Sequence, residues 1–256
     1  MHVTMATDAG KPGRVNEDFV GAVPGAAVLL DGAGIPGMES VCPHGVAWYT
    51  HRLGGSLLSR LSGDEGLASI LACAIEEVAD GHRDTCDLTH SCSPQATVLM
   101  VRVDGDRLDY LLLADSYLVV EGPRVVTDER EVDAQRACSA PLDGLTPGTP
   151  EFERVRRSCV EVLRARRNQP GGYWIAKEDP VAAEHAVTGS LPLPDGAVLL
   201  SNGAARIVSP YGVTDWAGVL GIVGADGPAE VIRRVRHVEA AGTQVPDDAT
   251  VALIRG

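Results

Sequence analysis

Two short stretches of the chain are apolar at nearly every position: residues 26–31 (AAVLLD) and 197–202 (AVLLSN). Each ends on a polar residue followed by glycine, and runs of this length without polar alternation are the mark of strands buried on both faces. A third, residues 96–103 (ATVLMVRV), passes through Asp104-Gly105-Asp106 into residues 107–115 (RLDYLLLAD). Asp-Gly between apolar runs is a strong hairpin signal. Residues 116–127 (SYLVVEGPRVVT) repeat the pattern around a Gly-Pro turn, so 96–127 is expected to form one antiparallel meander. The last strand is expected at 249–255 (ATVALIR).

Helical periodicity fills the intervals. Residues 43–61 and 64–81 form an expected pair packed side by side, the second opening on Asp64 as N-cap and carrying Leu67, Ile70, Leu71, Ala74, Ile75 and Val78 at helical spacing. Thr149-Pro150 reads as an N-cap followed by proline at the first helical position, starting a helix that stops at Gln169-Pro170-Gly171-Gly172. A further helix is expected over 227–242. Strands and paired helices run from end to end without a linker, repeat or low-complexity tract, which predicts one α+β layered domain over 1–256.

Composition narrows the function. The chain has 256 residues, 22 Lys+Arg against 35 Asp+Glu and a formal net charge of −13. Nucleic-acid and anionic-membrane binders depend on Lys and Arg to neutralise phosphates, so neither partner is expected. A hydrophobic share of 45% suffices for a core. The N-terminal segment lacks the apolar run of about 7 to 15 residues that a signal peptide needs, and no stretch reaches the roughly 18 apolar residues of a membrane span. A cytoplasmic protein is expected. The six cysteines include no CxxC pair and are read as free thiols. His82, Cys86, His90 and Cys92 are zinc-type ligands, but their spacing matches no standard site, and the segment is read as a polar loop after a helix.

Candidate chemistry lies at the strand ends. Asp31-Gly32, Asn202-Gly203 and Asp247-Asp248 each adjoin an apolar strand, and Asn16-Glu17-Asp18 forms a fourth cluster. Carboxylates gathered on one sheet edge suit hard divalent cations, and a glycine beside an aspartate lets a backbone carbonyl approach the ion. Taken singly, an Asp-Gly pair is usually only a turn.

The ordered series GRVNEDF (13–19), VLLDGAG (28–34), SPQATVLMVRV (93–103), YLLLADSYLVV (110–120), AVLLSNG (197–203) and PDDATVALI (246–254) resembles the metal-dependent protein phosphatases. These are the type 2C serine/threonine phosphatases, here in their bacterial form. The resemblance spans nearly the whole chain. It implies a four-layer αββα sandwich, two antiparallel sheets flanked by helix pairs, with two Mn²⁺ or Mg²⁺ ions at one edge and a weaker third. It implies hydrolysis of phosphorylated proteins by a metal-activated water, without a cysteine nucleophile. By the same resemblance Asp31 bridges the two metals and the Gly32 carbonyl binds the second. Glu17 holds that metal through water and Asp18 orients the water. Asp247 binds the first metal, Asp115 helps hold the third, and Arg14 grips the substrate phosphate.

Departures from the family pattern matter as much. Asn202 stands where the family has an aspartate ligand of the first metal; it is expected still to offer its side-chain carbonyl oxygen to that metal but no negative charge, so first-metal affinity is expected to fall. The alternative is a catalytically impaired pseudophosphatase that binds phosphoproteins. Ala114 replaces a glycine before Asp115, a change a strand should tolerate. Arg14 lies one residue nearer Asp18 than in many members, with Lys11 as its substitute. The position after Asp31-Gly32 is Ala33, so no histidine is assigned as general acid, and His44 and His51 read as ordinary helix residues. Residues 128–180 fall where the family has its variable flap. The arginines at 154, 156, 157, 164, 166 and 167 are read as the solvated face of an amphipathic helix, and the aromatics of GGYWIAKEDP as packing the flap on the body.

Overall fold

The computed structural model describes residues 1–34, 40–146, 148–242 and 245–256. In chain order the strands are β1 (His2–Asp8), β2 (Phe19–Val23), β3 (Ala26–Ala33), β4 (Gln95–Asp104), β5 (Arg107–Leu113), β6 (Tyr117–Val120), β7 (Arg124–Val126), β8 (Val187–Pro192), β9 (Gly196–Leu200) and β10 (Ala249–Arg255). The helices are α1 (Gly45–Arg60), α2 (Leu67–Asp80), α3 (Glu129–Ser139), α4 (Pro150–Arg166), the single turn α5 (Asn202–Ala205), α6 (Trp216–Asp226) and α7 (Pro228–Ala241). One antiparallel sheet runs β1-β10-β9-β6-β7, the other β2-β3-β4-β5-β8.

Alternation along the central strands builds three cores. Ala26, Val28 and Leu30 of β3 pack with α1 and α2, whereas Ala27 and Leu29 face the other sheet. Val198 and Leu200 of β9 pack with α6 and α7, and Ala197 and Leu199 enter the space between the sheets. Each central strand is therefore covered on both faces, which is why its sequence shows so little polar alternation. The layers are α, β, β, α, as expected.

Two local expectations are corrected. Residues 96–127 do not form one meander: β4 pairs with β5, but β6 pairs with β9 and β7 in the opposite sheet. The chain changes sheets at Ala114-Asp115-Ser116, where Ala114 adopts φ 70° and is fully buried. A strand therefore does not absorb the glycine replacement; Ala114 occupies a left-handed conformation that disfavours a Cβ. The second correction concerns the start of α2, whose N-cap is Gly66 rather than Asp64. Arg102 Nη1 on β4 donates to the carbonyls of Gly63 and Glu65 at 3.0 and 2.8 Å, holding that loop outside the helix.

Within 128–180, Thr149 caps α4 as expected, its Oγ1 accepting from Phe152 N at 3.3 Å. No residue of α4 is buried, and Arg156 pairs with Glu153 one turn away, as on a solvated face. Tyr173 and Trp174 are buried, and Trp174 stacks on His185 and joins the core under α1 and α2. These aromatics seat the segment on the body.

Candidate metal centre

Antiparallel pairing brings the chemistry-bearing ends to one edge. Asp31 lies near the end of β3, Asp115 just after β5, Asn202 just after β9, while Asp18 precedes β2 and Asp247 precedes β10. In neighbouring antiparallel strands, the end of one lies beside the start of the next. Stacking the two sheets then closes the distance between Asp31 on one and Asn202 on the other. The backbone N–H of Asn202 donates to Asp31 Oδ2 at 3.1 Å.

The hydrogen bonds divide the acidic residues by role. Asp18 is buried; its Oδ2 accepts from Thr250 Oγ1 at 2.6 Å, whereas its Oδ1 has no hydrogen-bond partner among the described residues. Asp115 is also buried, and its Oδ2 accepts from Asn202 Nδ2 at 2.7 Å and Gln135 Nε2 at 3.3 Å. The register sets Thr97 opposite Asp31, and Thr97 Oγ1 accepts from Asp31 N at 3.2 Å. Asp247 is more exposed and its Oδ2 pairs with Arg206 at 2.6 Å.

Electrostatics follow from this crowding. Burial, then the charges of Asp18, Asp115 and Asp247, push Asp31 well above the usual carboxylate range. Burial raises Asp18 to about 7, opposed by the Thr250 hydrogen bond and reinforced by Asp248 and Asp247. Asp115 rises to about 6, again chiefly through burial, with the donors Gln135 and Asn202 opposing the shift. Burial raises Glu17 as well, and Arg14 counteracts it. Buried carboxylates that repel one another are relieved by protons or by cations, and hard oxygen donors suit Mg²⁺ and Mn²⁺. The unpartnered Asp18 Oδ1 is an acceptor of the kind a cation or its hydration water satisfies.

Backbone approach supplies a further fit. A Cβ on Gly32 would lie 2.3 Å from the Glu17 carbonyl oxygen and 2.7 Å from Val46 Cγ1, so only glycine lets these two segments meet. Gly203 is similarly constrained, its hypothetical Cβ falling 1.9 Å from the Asp248 carbonyl oxygen.

The structure therefore brings Asp18, Asp31, Asp115, Asn202 and Asp247 together, with Gly32 and Glu17 at the margin. Arg14 is exposed in a turn closed by its N–H to the Lys11 carbonyl, and faces the cluster through Glu17. Asn202 directs an N–H donor, not its carbonyl oxygen, at a neighbouring carboxylate. Three contributors, Arg206, Gln135 and Glu131, escaped the sequence reading, and a fourth, Asp248, was singled out there only as part of the Asp247-Asp248 turn, without a role. Asp248 accepts from the N–H groups of Gly10 and Glu17 at 2.8 and 2.6 Å, clamping the loop that carries Asp18. Arg206 neutralises Asp247. Gln135 and Glu131 enter from α3, and burial followed by Asp115 pushes Glu131 well up. Asp248 had a signal, its position between Asp247 and a strand; the other three are ordinary surface-type residues until the fold places them.

Among solved structures, the chain is similar to the serine/threonine phosphatase PstP/Ppp of Mycobacterium tuberculosis, with 18% identity, TM-score 0.58, and coverage of 98% of this chain and 97% of that one. It is similar to the PPM Ser-Thr phosphatase MsPP of Mycobacterium smegmatis in complex with cacodylate, with 17% identity, TM-score 0.57, and coverage of 100% and 98%. A third is PppA, a regulatory component of T6SS in Pseudomonas aeruginosa, with 16% identity, TM-score 0.56, and coverage of 99% and 96%. The catalytic domain of PstP is also known in complex with two manganese ions. No protein-family model matches the chain, and no curated protein matches it. Coverage of nearly the whole of each chain at these TM-scores establishes that this chain has the fold of the bacterial PPM, or type 2C, serine/threonine phosphatases.

Proposed function

We propose that the chain is an Mn²⁺- or Mg²⁺-dependent phosphomonoester hydrolase acting on phosphoserine and phosphothreonine in proteins. The observation that carries this reading is the convergence of Asp18, Asp31, Asp115 and Asp247, with one buried carboxylate oxygen unpartnered. Asp31, Asp247 and the Gly32 carbonyl would hold two ions, Glu17 and Asp18 would orient their water, and Asp115 would serve a weaker third. When bound, the ions supply a hydroxide-generating Lewis acid and neutralise charge developing on the phosphoryl group.

The chain's own residues do the remainder. Thr250 fixes the Asp18 carboxylate, so that its free Oδ1 keeps one orientation. Asp248 holds Glu17 and the following turn against the sheet edge. Arg14, exposed and acting electrostatically on Glu17, would meet a phosphate oxygen arriving from solvent, as a planar guanidinium does well. The α3 side chains Gln135 and Glu131 link residues 128–180 to Asp115, consistent with a flap that shapes substrate choice.

A specific observation favours the second reading, a phosphoprotein-binding module with impaired catalysis. Asn202 brings no charge to the centre, and Arg206 occupies Asp247. One experiment separates the two: p-nitrophenyl phosphate hydrolysis with Mn²⁺, which EDTA should abolish and Asp31→Asn should eliminate. A folded chain without turnover at millimolar Mn²⁺, in which Asn202→Asp creates activity, identifies the module. If neither form turns over, the hydrolase reading fails.

A further inference from the structure

The loop before α1 and the turn after α2 bring four soft donors together. Cys42 and His44 come from the first, His82 and Cys86 from the second. One donor atom each from Cys42, His82 and Cys86 lies within 4.8 Å of the others. Cys86 Sγ is 3.1 Å from Cys42 Sγ, and His44 Nδ1 lies 3.3 Å from Cys86 Sγ and 3.8 Å from Cys42 Sγ. The sulfur separation exceeds the roughly 2.05 Å of a disulfide bond.

We infer that Cys42, His44, His82 and Cys86 form a tetrahedral Zn²⁺ site that staples the start of α1 to the end of α2. Two thiolates and two imidazoles are a complete ligand set for a structural zinc, with no position left for water or substrate. Tetrahedral ligation at about 2.0 to 2.3 Å from the ion places neighbouring ligand atoms about 3.3 to 3.8 Å apart; the two His44 Nδ1–sulfur distances fall in this range, and the sulfurs, at 3.1 Å, would part slightly to admit the ion. The contacts that would hold the ligands are already in place. His82 is buried, and its Nδ1–H donates to the Val78 carbonyl at 2.5 Å, which fixes the ring and leaves Nε2 as the ligating atom. Asp87 N donates to the Val41 carbonyl at 2.9 Å, locking the two loops beside each other.

The other two residues of the HRDTCDLTHSC segment take no part. His90 is exposed, with its Nδ1 accepting from Cys92 N at 3.1 Å in a local turn. The ligands instead pair as Cys-x-His and His-x₃-Cys from separate loops. On coordination each thiol releases its proton to solvent, and Zn²⁺ takes both sulfurs as thiolates. The site shares no residue with the carboxylate centre, whose hard oxygen donors select different ions.

The test is a Co²⁺ titration of the full chain, purified under reductant, stripped with chelator and held in excess Mg²⁺ to fill carboxylate sites. The expected result is thiolate-to-cobalt charge-transfer absorption and tetrahedral ligand-field bands saturating at one equivalent, both erased by Zn²⁺. Cys86→Ser should lose the charge-transfer band, and Cys92→Ser should keep it. Should Cys86→Ser fail to fold, alkylation of the wild-type chain still decides: Zn²⁺ should protect Cys42 and Cys86 and leave the exposed Cys73 reactive. Absence of the charge-transfer band, its survival in a folded Cys86→Ser, no protection of Cys42 and Cys86 by Zn²⁺, or a Cys42–Cys86 disulfide in reductant-purified protein would overturn the proposal.

Discussion

The side-chain amide of Asn202 donates to Asp115 Oδ2 at 2.7 Å. With its backbone N–H on Asp31, Asn202 links two carboxylates that repel each other. An aspartate here would provide another anionic ligand but remove a donor and add a like charge. Asn202→Asp should therefore lower the Mn²⁺ concentration for half-maximal activity about tenfold or more. The same substitution should destabilise the metal-free chain by about 1 kcal/mol. Metal titration of activity and urea unfolding in EDTA check the two halves separately.

If the centre binds metal as proposed, protons and cations compete for it. Asp18 and Asp115 rise from an ordinary value of 3.8 to about 7 and about 6, so the metal-free folded state binds more protons than the unfolded chain. That stabilisation is fully present below the ordinary value and is lost as pH rises through the folded values. In EDTA the melting temperature should fall from about pH 5 to about pH 8, and saturating Mg²⁺ should remove most of the difference. A metal-free melting temperature that is equal or higher at the upper pH would contradict the proposed crowding.

In the proposed centre Arg206, which pairs with Asp247 at 2.6 Å, would oppose metal binding there. The pair is partly exposed, so its contribution is about 0.2 to 1 kcal/mol, and Arg206→Gln should lower the Mn²⁺ requirement by up to about fivefold. Asp247→Ala should raise it instead. Isothermal titration with Mn²⁺ at fixed ionic strength distinguishes these opposite signs.

Asp248 is a positioning residue, holding the N–H groups of Gly10 and Glu17. Asp248→Ala leaves both donors without their charged acceptor and should cost about 1.5 to 3 kcal/mol of stability. Mn²⁺ affinity should weaken with it, because the loop carrying Asp18 is released. Asp248→Asn, which keeps one acceptor oxygen, should restore part of both losses.

Gly32→Ala tests the close approach directly. Its Cβ would fall 2.3 Å from the Glu17 carbonyl oxygen, within a packed strand end. The expected cost is about 1 to 3 kcal/mol, measured by urea unfolding, together with weakened Mn²⁺ binding.

Local patterning made the layers legible. Strands buried on both faces appear as unbroken apolar runs at 26–31 and 197–202, and alternate residues of each enter different cores. Acidic or amide residues at strand ends were visible for the same local reason, so Asp31, Asn202 and Asp247 could be singled out along the chain, whereas Asp115 was reached only through the family resemblance. Pairing between distant segments left no such mark. Nothing near residue 117 announces that β6 joins β9 rather than β5, a choice expressed through the sheet change at Ala114.

The same division holds for side chains. Asn202 declares its missing charge in the sequence, but its service as a donor to Asp115 depends on two sheets packing face to face. Arg206 and Gln135 meet Asp247 and Asp115 only because helices pack over those edges. The Cys42, His44, His82 and Cys86 group depends on α1 lying beside α2, which replaces His90 and Cys92 with ligands some forty positions away. Periodicity and turn chemistry are properties of neighbouring residues and survive in a linear reading. Charge neutralisation, ligand grouping and sheet membership are properties of distances between remote residues, and those exist only once the chain has folded.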